Sequence, residues 1–242
     1  MRRPAPIALA GIGAGLLCNY WALEGALAER SDFDSSWISD LATRTESTGW
    51  RFVVLGILSG LAIAAFALAL LRRLTRSDAT GAERTLRLGL WALLASGLFT
   101  VLASAAPLSC AEGLEPTCSL AYDPVDVLHS LATAGEIAAT VLAFLLVGLG
   151  LLTIVCPLSP RGRQRTRGRW IGWLTLALGA LWLLLTALTG VTYLGDALDS
   201  VKGALQRADQ VVFGAWLVLL GFAARCGRGG PGAGEIPGTA PS

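Results

Sequence analysis

Long runs without a charged side chain recur along this chain of 242 residues. The clearest runs from Phe52 to Leu71, 20 residues with no charge. Since a helix rises 1.5 Å per residue, about 20 apolar residues cross a hydrocarbon core of roughly 30 Å. Only 15% of the residues are charged, whereas a soluble domain carries about 25%. The sequence therefore predicts an all-α polytopic membrane protein.

Six apolar runs predict a bundle of six transmembrane helices in a single domain, residues 1–226. Their approximate bounds are 4–26, 50–71, 87–107, 124–155, 170–194 and 205–225. The first run could instead be a cleaved signal peptide, because basic residues precede it and Ala26-Leu27-Ala28 has the small side chains of a cleavage site. Its length and its Asn-Tyr-Trp sequence favour a retained span. The Gly- and Pro-rich stretch 227–242 is predicted to be a disordered cytoplasmic tail.

The charged residues predict the orientation of the bundle. Both termini and the loops after spans two and four hold 14 of the 19 basic residues but only 3 of the 17 acids. The 14 are Arg2, Arg3, Arg72, Arg73, Arg76, Arg84, Arg87, Arg161, Arg163, Arg165, Arg167, Arg169, Arg225 and Arg228. Because cytoplasmic loops are enriched in Lys and Arg, both ends are predicted to be cytoplasmic. We predict a multi-pass protein of the cytoplasmic membrane.

The fourth run carries unusual polar residues for a membrane helix. Asp126, His129, Thr133, Glu136 and Thr140 recur at spacings of three and four, so they share one helix face. His129, the only histidine, would lie about 6 Å below the outer surface and Glu136 about 16 Å below it. An ionised carboxylate at the bilayer centre costs roughly 2.5–3.5 kcal/mol. Such a stripe is predicted to face protein or a wet cavity.

Other polar residues are predicted to gather at the same outer end. Asp40 follows the first span, and Arg207 and Asp209 open the sixth. Residues 35–41 resemble a short capped helix on the outer membrane face, with Trp37 and Leu41 on one side. The predicted polar pocket therefore comprises Asp40, Asp126, His129, Glu136, Arg207 and Asp209. Cys110 and Cys118 share an outer loop, where oxidation is permitted, and are predicted to form a disulfide.

Several alternatives remain open for this polar stripe. His129 and Glu136 could simply clamp helices together by hydrogen bonds. Asp126 and His129 could share a metal, but two ligands from one helix are weak support, and we predict no metal and no cofactor. The basic loops lack interleaved aromatic residues and predict no nucleic-acid binding. A recognisable catalytic arrangement is also missing, which favours a protein that is not an enzyme.

Three short segments resemble a known family. They are Ile38–Ala42 (ISDLA), Asp126–Ala132 (DVLHSLA) and Leu205–Arg207 (LQR). In this order and spacing they resemble the bacterial, often actinobacterial, membrane family of unknown function DUF998, over about residues 8–225. The resemblance implies a six-span integral membrane protein and brings no catalytic residues. It points to Asp40, His129 and Arg207, which the charge argument also selected.

Three functions fit these observations. The first is a non-enzymatic protein that binds a membrane lipid, or a membrane or periplasmic protein partner, at an outward-facing polar pocket. The second is a proton-coupled carrier of a small molecule, with Glu136 and His129 as the relay. The third is an enzyme that modifies lipid at the outer leaflet, with His129 as a base oriented by Asp126 and Arg207 holding a phosphate.

Overall fold

Helices make up nearly all of the structure, a computed structural model that describes residues 6–28, 36–74, 81–111, 118, 123–153, 163–192 and 200–224. Within these ranges there is no β-strand. Two short 3₁₀ helices span Tyr20–Leu23 and Ser39–Ala42. The α-helices are α1 Pro6–Leu17, α2 Glu24–Leu27, α3 Gly49–Leu74, α4 Gly81–Ala105, α5 Pro124–Thr153, α6 Arg163–Val191 and α7 Lys202–Ala223. The predicted all-α class is confirmed, while the predicted tail 227–242 lies outside the described residues.

Four of the helices are long and apolar enough to cross a membrane. They are α3, α4, α5 and the part of α6 from Arg169 to Val191. The first apolar run adds a fifth if its two bent parts count as one span. Their outward surfaces are rich in leucine, as expected of helices that face acyl chains. The chain is therefore a multi-pass membrane protein, as the uncharged runs predicted.

The first apolar run is broken, which corrects the prediction of one continuous span over 4–26. α1 ends at Leu17, and the chain bends by 58° before it continues through Tyr20–Leu27. Asn19 explains the break. Its side-chain amide donates to the Gly15 carbonyl at 2.8 Å, while its backbone N–H donates to Leu16 instead, at 3.1 Å. A side chain that takes over a backbone acceptor in this way ends the α-helical pattern.

The long helices form a closed ring in which each packs mainly against two neighbours. The order around the ring is α1, α3, α4, α5, α6 and α7, and α7 closes it against α1. Glycines allow the close approach of neighbouring backbones. A Cβ on Gly15 would lie 2.5 Å from the Gly214 carbonyl oxygen, and Gly60 and Gly97 face each other across α3 and α4 in the same way. The ring leaves space at its centre.

α7 closes the ring although it is not among the helices apolar enough to span by composition. Lys202, Arg207 and Asp209 occupy its first turns, and all three side chains are buried. Its far half is apolar and buries Phe213, Trp216, Leu217 and Leu220 in the core. Protein therefore surrounds the charged turns.

Candidate functional site

A cavity of about 550 Å³ lies inside the ring. We call the end of the ring that holds it the cavity end. At this end α4 and α6 finish, and α3, α5 and α7 begin. Helices α3 to α7 contribute to its wall, together with Cys18 and Tyr20, which follow α1, and the segment 37–42. Its polar wall includes Tyr20, Thr100, His129, Thr133, Glu136, Thr186, Gln206, Asp209 and Gln210. Aromatic and aliphatic side chains complete the wall, so the cavity is polar on some sides and apolar on others.

His129 is one of three predicted pocket residues on this wall. Its Nδ1 lies 2.9 Å from the Ala103 carbonyl oxygen and 3.0 Å from that of Ala106. Carbonyl oxygens only accept, so Nδ1 must carry a proton and donate it. His129 therefore clamps the start of α5 to the end of α4 and also forms part of the cavity wall.

Glu136 on α5 and Asp209 on α7 are the other two predicted pocket residues that lie on the cavity wall. Glu136 is half-buried, and the Thr100 hydroxyl is its hydrogen-bonding neighbour. Asp209 is only 5% exposed. Its Oδ2 accepts from the Thr186 hydroxyl at 3.5 Å, whereas Oδ1 has no hydrogen-bond partner among the described residues. Two acids thus share one cavity, and none of the lining residues is Lys or Arg.

Asp40 and Arg207 lie beside the cavity rather than on its wall, which corrects the prediction that they form one pocket with His129. The Arg207 guanidinium donates to the Glu24 carboxylate at 2.5 Å and to the Ser36 carbonyl at 2.9 Å. Asp40 Oδ2 accepts from the Trp37 backbone N–H at 2.8 Å. Arg207 is 1% exposed and Asp40 0%. We call this buried group of residues (Glu24, Ser36, Asp40 and Arg207) the cap.

The segment that contains Asp40 is buried against the rest of the chain. Ser36, Trp37, Asp40 and Leu41 are all buried, and the regular part is the 3₁₀ helix Ser39–Ala42. The Ile38 backbone N–H donates to Gln206 Oε1 at 2.6 Å, which ties the segment to the start of α7. The segment therefore closes the cavity end of the ring.

Asp126 is separated from the cavity, although it shares a helix face with His129. Its two carboxylate oxygens accept from the Ser109 backbone N–H at 2.8 Å and the Ser109 hydroxyl at 2.6 Å. Arg44 lies 3.9 Å from the same carboxylate. Asp126 therefore does not orient His129, because backbone carbonyls do so instead. Among the described residues no three His, Cys, Asp or Glu side chains converge as a metal site requires.

Cys110 and Cys118 are joined in a disulfide with their Cα atoms 5.7 Å apart. Cys110 immediately follows Ser109, the residue that holds Asp126. The Asp126 contacts thus tie Ser109, next to the bridged Cys110, to the start of α5.

The comparison with protein families settles the relationship that the three short segments suggested. The profile described as Protein of unknown function (DUF998) matches residues 9–223, which is most of the chain. The chain belongs to the DUF998 family. In the same comparisons no curated protein and no solved structure matches it. The DUF998 match takes in the ring except the first three residues of α1, together with the cap and the cavity wall.

Several wall residues of this DUF998 protein were not selected from the sequence. Thr186 and Thr189 face the cavity from α6, and Gln206 faces it from α7. The sequence does contain a weak indication of these residues. Thr186 and Thr189 are three residues apart in a run of leucines, and Gln206 comes one helical turn before Gln210. In a membrane helix, such spacing indicates a face turned away from lipid.

Proposed function

We propose that this protein is a six-span, non-enzymatic protein of the bacterial cytoplasmic membrane that binds a membrane lipid in an outward-facing cavity. Residues 1–226 form one domain in this proposal, with both termini in the cytoplasm. The cavity of about 550 Å³ carries the proposal, because ligand sites commonly enclose about 300–1,000 Å³.

The charge distribution supports the proposed orientation. Arg73 donates to the Ala224 carbonyl at 3.5 Å and Arg87 to the Leu74 carbonyl at 3.2 Å. These contacts bring the ends of α3 and α7 and the start of α4 to the end of the ring opposite the cavity. That end is rich in arginine, so the positive-inside rule places it in the cytoplasm. The cavity end, with the disulfide, then faces outward, where oxidation is permitted.

The chemistry of the wall favours binding over catalysis. Arg207, which the enzyme hypothesis needs as a phosphate ligand, is held in the cap by Glu24 and is not among the lining residues of the cavity. The remaining wall is a mixture of hydroxyls, amides, acids and aromatic rings, which suits a molecule with a polar head and an apolar body. A lipid is favoured over a protein partner because the space lies within the ring of helices.

Native mass spectrometry of the protein purified in a non-ionic detergent tests the proposal. Ala134 lies on the cavity wall and Ala138, one turn along the same helix, does not, although both are exposed. We expect Ala134→Phe to lose co-purified lipid that wild type and Ala138→Phe retain. Equal amounts of bound lipid in all three proteins would contradict the proposal.

A proton-coupled carrier is the second candidate, favoured by the broken first span. Helices interrupted at a central binding site are typical of secondary transporters, and the residues at this break, Cys18 and Tyr20, line the cavity that holds Glu136. A carrier in proteoliposomes would acidify or alkalinise the lumen when a lipid-impermeable substrate is supplied. Glu136→Gln would abolish that proton flux, and flux unchanged by this substitution would exclude the carrier.

A further inference from the structure

The cavity is open on one side, between α5 and α6. Of all the residues on its wall, three are exposed: Ser130 and Ala134 on α5, and Gly190 on α6. A Cβ on Gly190 would meet no atom within 4 Å. The remaining lining residues are buried or half-buried. Within the described part of the chain, the mouth of the cavity is therefore lateral.

The contacts between α5 and α6 explain this opening. Gly148 packs against Leu176, Gly172 against Leu152, and Phe144 against Trp182. All of these lie in the half of the bundle away from the cavity end. Near the cavity, α5 is instead held to α4 through His129, and α6 contacts α7 through Thr186 and Asp209. These contacts are consistent with an opening between α5 and α6 on the side of Trp182 that is nearer the cavity end.

The surface outside the mouth is apolar. Leu131 is 65% exposed on α5, and Leu183, Leu184 and Val191 are exposed on α6. In a membrane helix such residues face acyl chains. A molecule that enters between α5 and α6 therefore comes from the lipid phase, and an apolar tail left in the mouth would lie among these side chains.

The interior of the cavity favours a positive head group. Glu136 and Asp209 face it, no lining residue is Lys or Arg, and no ion pair of either acid occurs among the described residues. Asp209 Oδ1 is buried without a hydrogen-bond partner in that part of the chain. A buried carboxylate left without a counter-charge is costly, and a cationic head group in the cavity would supply that counter-charge. Trp182 and Phe213 add ring faces that attract cations.

We propose that the ligand is an amphiphile with an ammonium head, which enters sideways between α5 and α6 and places its head against Glu136 and Asp209. The proposal rests on the proposed lipid-binding function and specifies the head group and the route. A phosphate or other anionic head would instead meet the two acids, and the lining has no Lys or Arg to pair with it.

Binding of three twelve-carbon probes to the purified protein tests the head group. The probes are dodecyltrimethylammonium, dodecanol and dodecyl phosphate, measured by native mass spectrometry in a non-ionic detergent. We expect the ammonium probe to bind at least about tenfold more tightly than dodecanol, as a charge-assisted contact predicts. The double variant Glu136→Gln with Asp209→Asn should reduce that ratio to near one.

Asp123→Asn is the matched control for the loss of an acid. Asp123 lies outside the cavity, where it pairs with Arg44 at 3.0 Å, and Asn caps a helix as well as Asp does. This variant should retain the full preference for the ammonium probe. The proposed head-group site would be overturned if Asp123→Asn abolished the preference for the ammonium probe. It would also be overturned if the double variant kept that preference.

The route is tested by narrowing the mouth. Gly190→Phe adds a ring at the opening, and Gly13→Phe adds one at a position on α1 that is equally open and absent from the cavity wall. We expect Gly190→Phe to slow uptake of the ammonium probe by at least about tenfold, within the range that single substitutions change binding rates. Gly13→Phe should leave uptake unchanged. If Gly190→Phe and Gly13→Phe took up the ammonium probe at equal rates, the lateral route would be overturned.

The outcomes separate this inference from the proposed function. If all three probes bind with equal affinity and Ala134→Phe abolishes their binding, the cavity is a lipid site and the ammonium preference is wrong. If none of the probes binds and no lipid co-purifies, both the proposed function and this inference are wrong.

Discussion

The Arg207 guanidinium and the Glu24 carboxylate form a buried ion pair at 2.5 Å between residues that are 183 positions apart in the sequence. The pair joins α7 to the far side of the break in the first apolar run. Together with the Arg207 contact to the Ser36 carbonyl, it fixes three separate segments over the cavity. The cap is therefore a structural element that closes one end of the ring.

Removal of either partner should destabilise the protein strongly. Arg207→Met or Glu24→Gln leaves the other charge buried, and such losses cost about 3–5 kcal/mol. The double variant, Arg207→Met with Glu24→Gln, should lose less free energy of unfolding than the two single variants added together. Equilibrium unfolding in detergent measures both effects. Asp123→Asn is the control, because its pair with Arg44 lies at the surface and should contribute at most about 1 kcal/mol. A similar loss in this control would contradict the conclusion that the buried pair stabilises the cap.

His129 should tolerate asparagine better than alanine. The Asn amide can reach the position of Nδ1 and donate to the Ala103 and Ala106 carbonyls, whereas Ala leaves both acceptors without that donor. We expect His129→Ala to lower the free energy of unfolding by about 1–3 kcal/mol and His129→Asn to retain most of it. Equal losses in the two variants would show that the ring itself, not the Nδ1 donor, joins α5 to α4.

Two buried aspartates should respond in opposite ways to the same substitution. Both oxygens of Asp126 accept hydrogen bonds from Ser109, so Asp126→Asn should cost about 1–3 kcal/mol. Asp209 has one oxygen without a partner among the described residues, so Asp209→Asn should be neutral or stabilising. Thermal unfolding followed by tryptophan fluorescence checks both.

A gain in stability that accompanies a loss of ligand binding is typical of a functional residue. Asp209→Asn is expected to show this combination, while Asp126→Asn should lose stability and keep the binding of the ammonium probe. If Asp209→Asn destabilised the protein as much as Asp126→Asn does, Asp209 would be a structural residue and the case for a cationic ligand would fail.

The disulfide should stabilise the loop between α4 and α5 and report its location. Replacement of Cys110 and Cys118 by serine opens a loop with a sequence separation of 8, which corresponds to about 2–3 kcal/mol in the chain-entropy account. In whole cells, a membrane-impermeant thiol reagent should label both cysteines after mild reduction. Labelling that requires permeabilised cells would place this loop in the cytoplasm and reverse the proposed orientation.

Much of the fold follows from the sequence because lipid imposes simple rules on composition. Runs such as Phe52–Leu71 lie within the observed α3. The break after Leu17 was missed, since the apolar run continues through it without Pro. It depends on one hydrogen bond, from the Asn19 side chain to Gly15, which no average over a window detects.

The candidate site was predicted only in part, because helical periodicity shows which residues share a helix face but not what those residues contact. Helical periodicity correctly placed His129, Thr133 and Glu136 on one face, and all three line the cavity. Periodicity could not show that Asp126, at the end of that face, is held by the loop residue Ser109. Periodicity also could not show which helices are neighbours. Only the structure shows that Arg207 belongs to the cap while Asp209, two residues later on α7, lines the cavity.

Photolabelling tests the central claim, that the cavity binds a ligand, most directly. The probe is a long-chain alkylammonium with a diazirine next to its head, and mass spectrometry locates its adducts. The account predicts adducts on residues 130–137 and 206–213, which excess dodecyltrimethylammonium removes and Ala134→Phe prevents, while Ala138→Phe has no effect. Adducts spread over the lipid-facing leucines of all helices, unchanged by competitor or by Ala134→Phe, would contradict it.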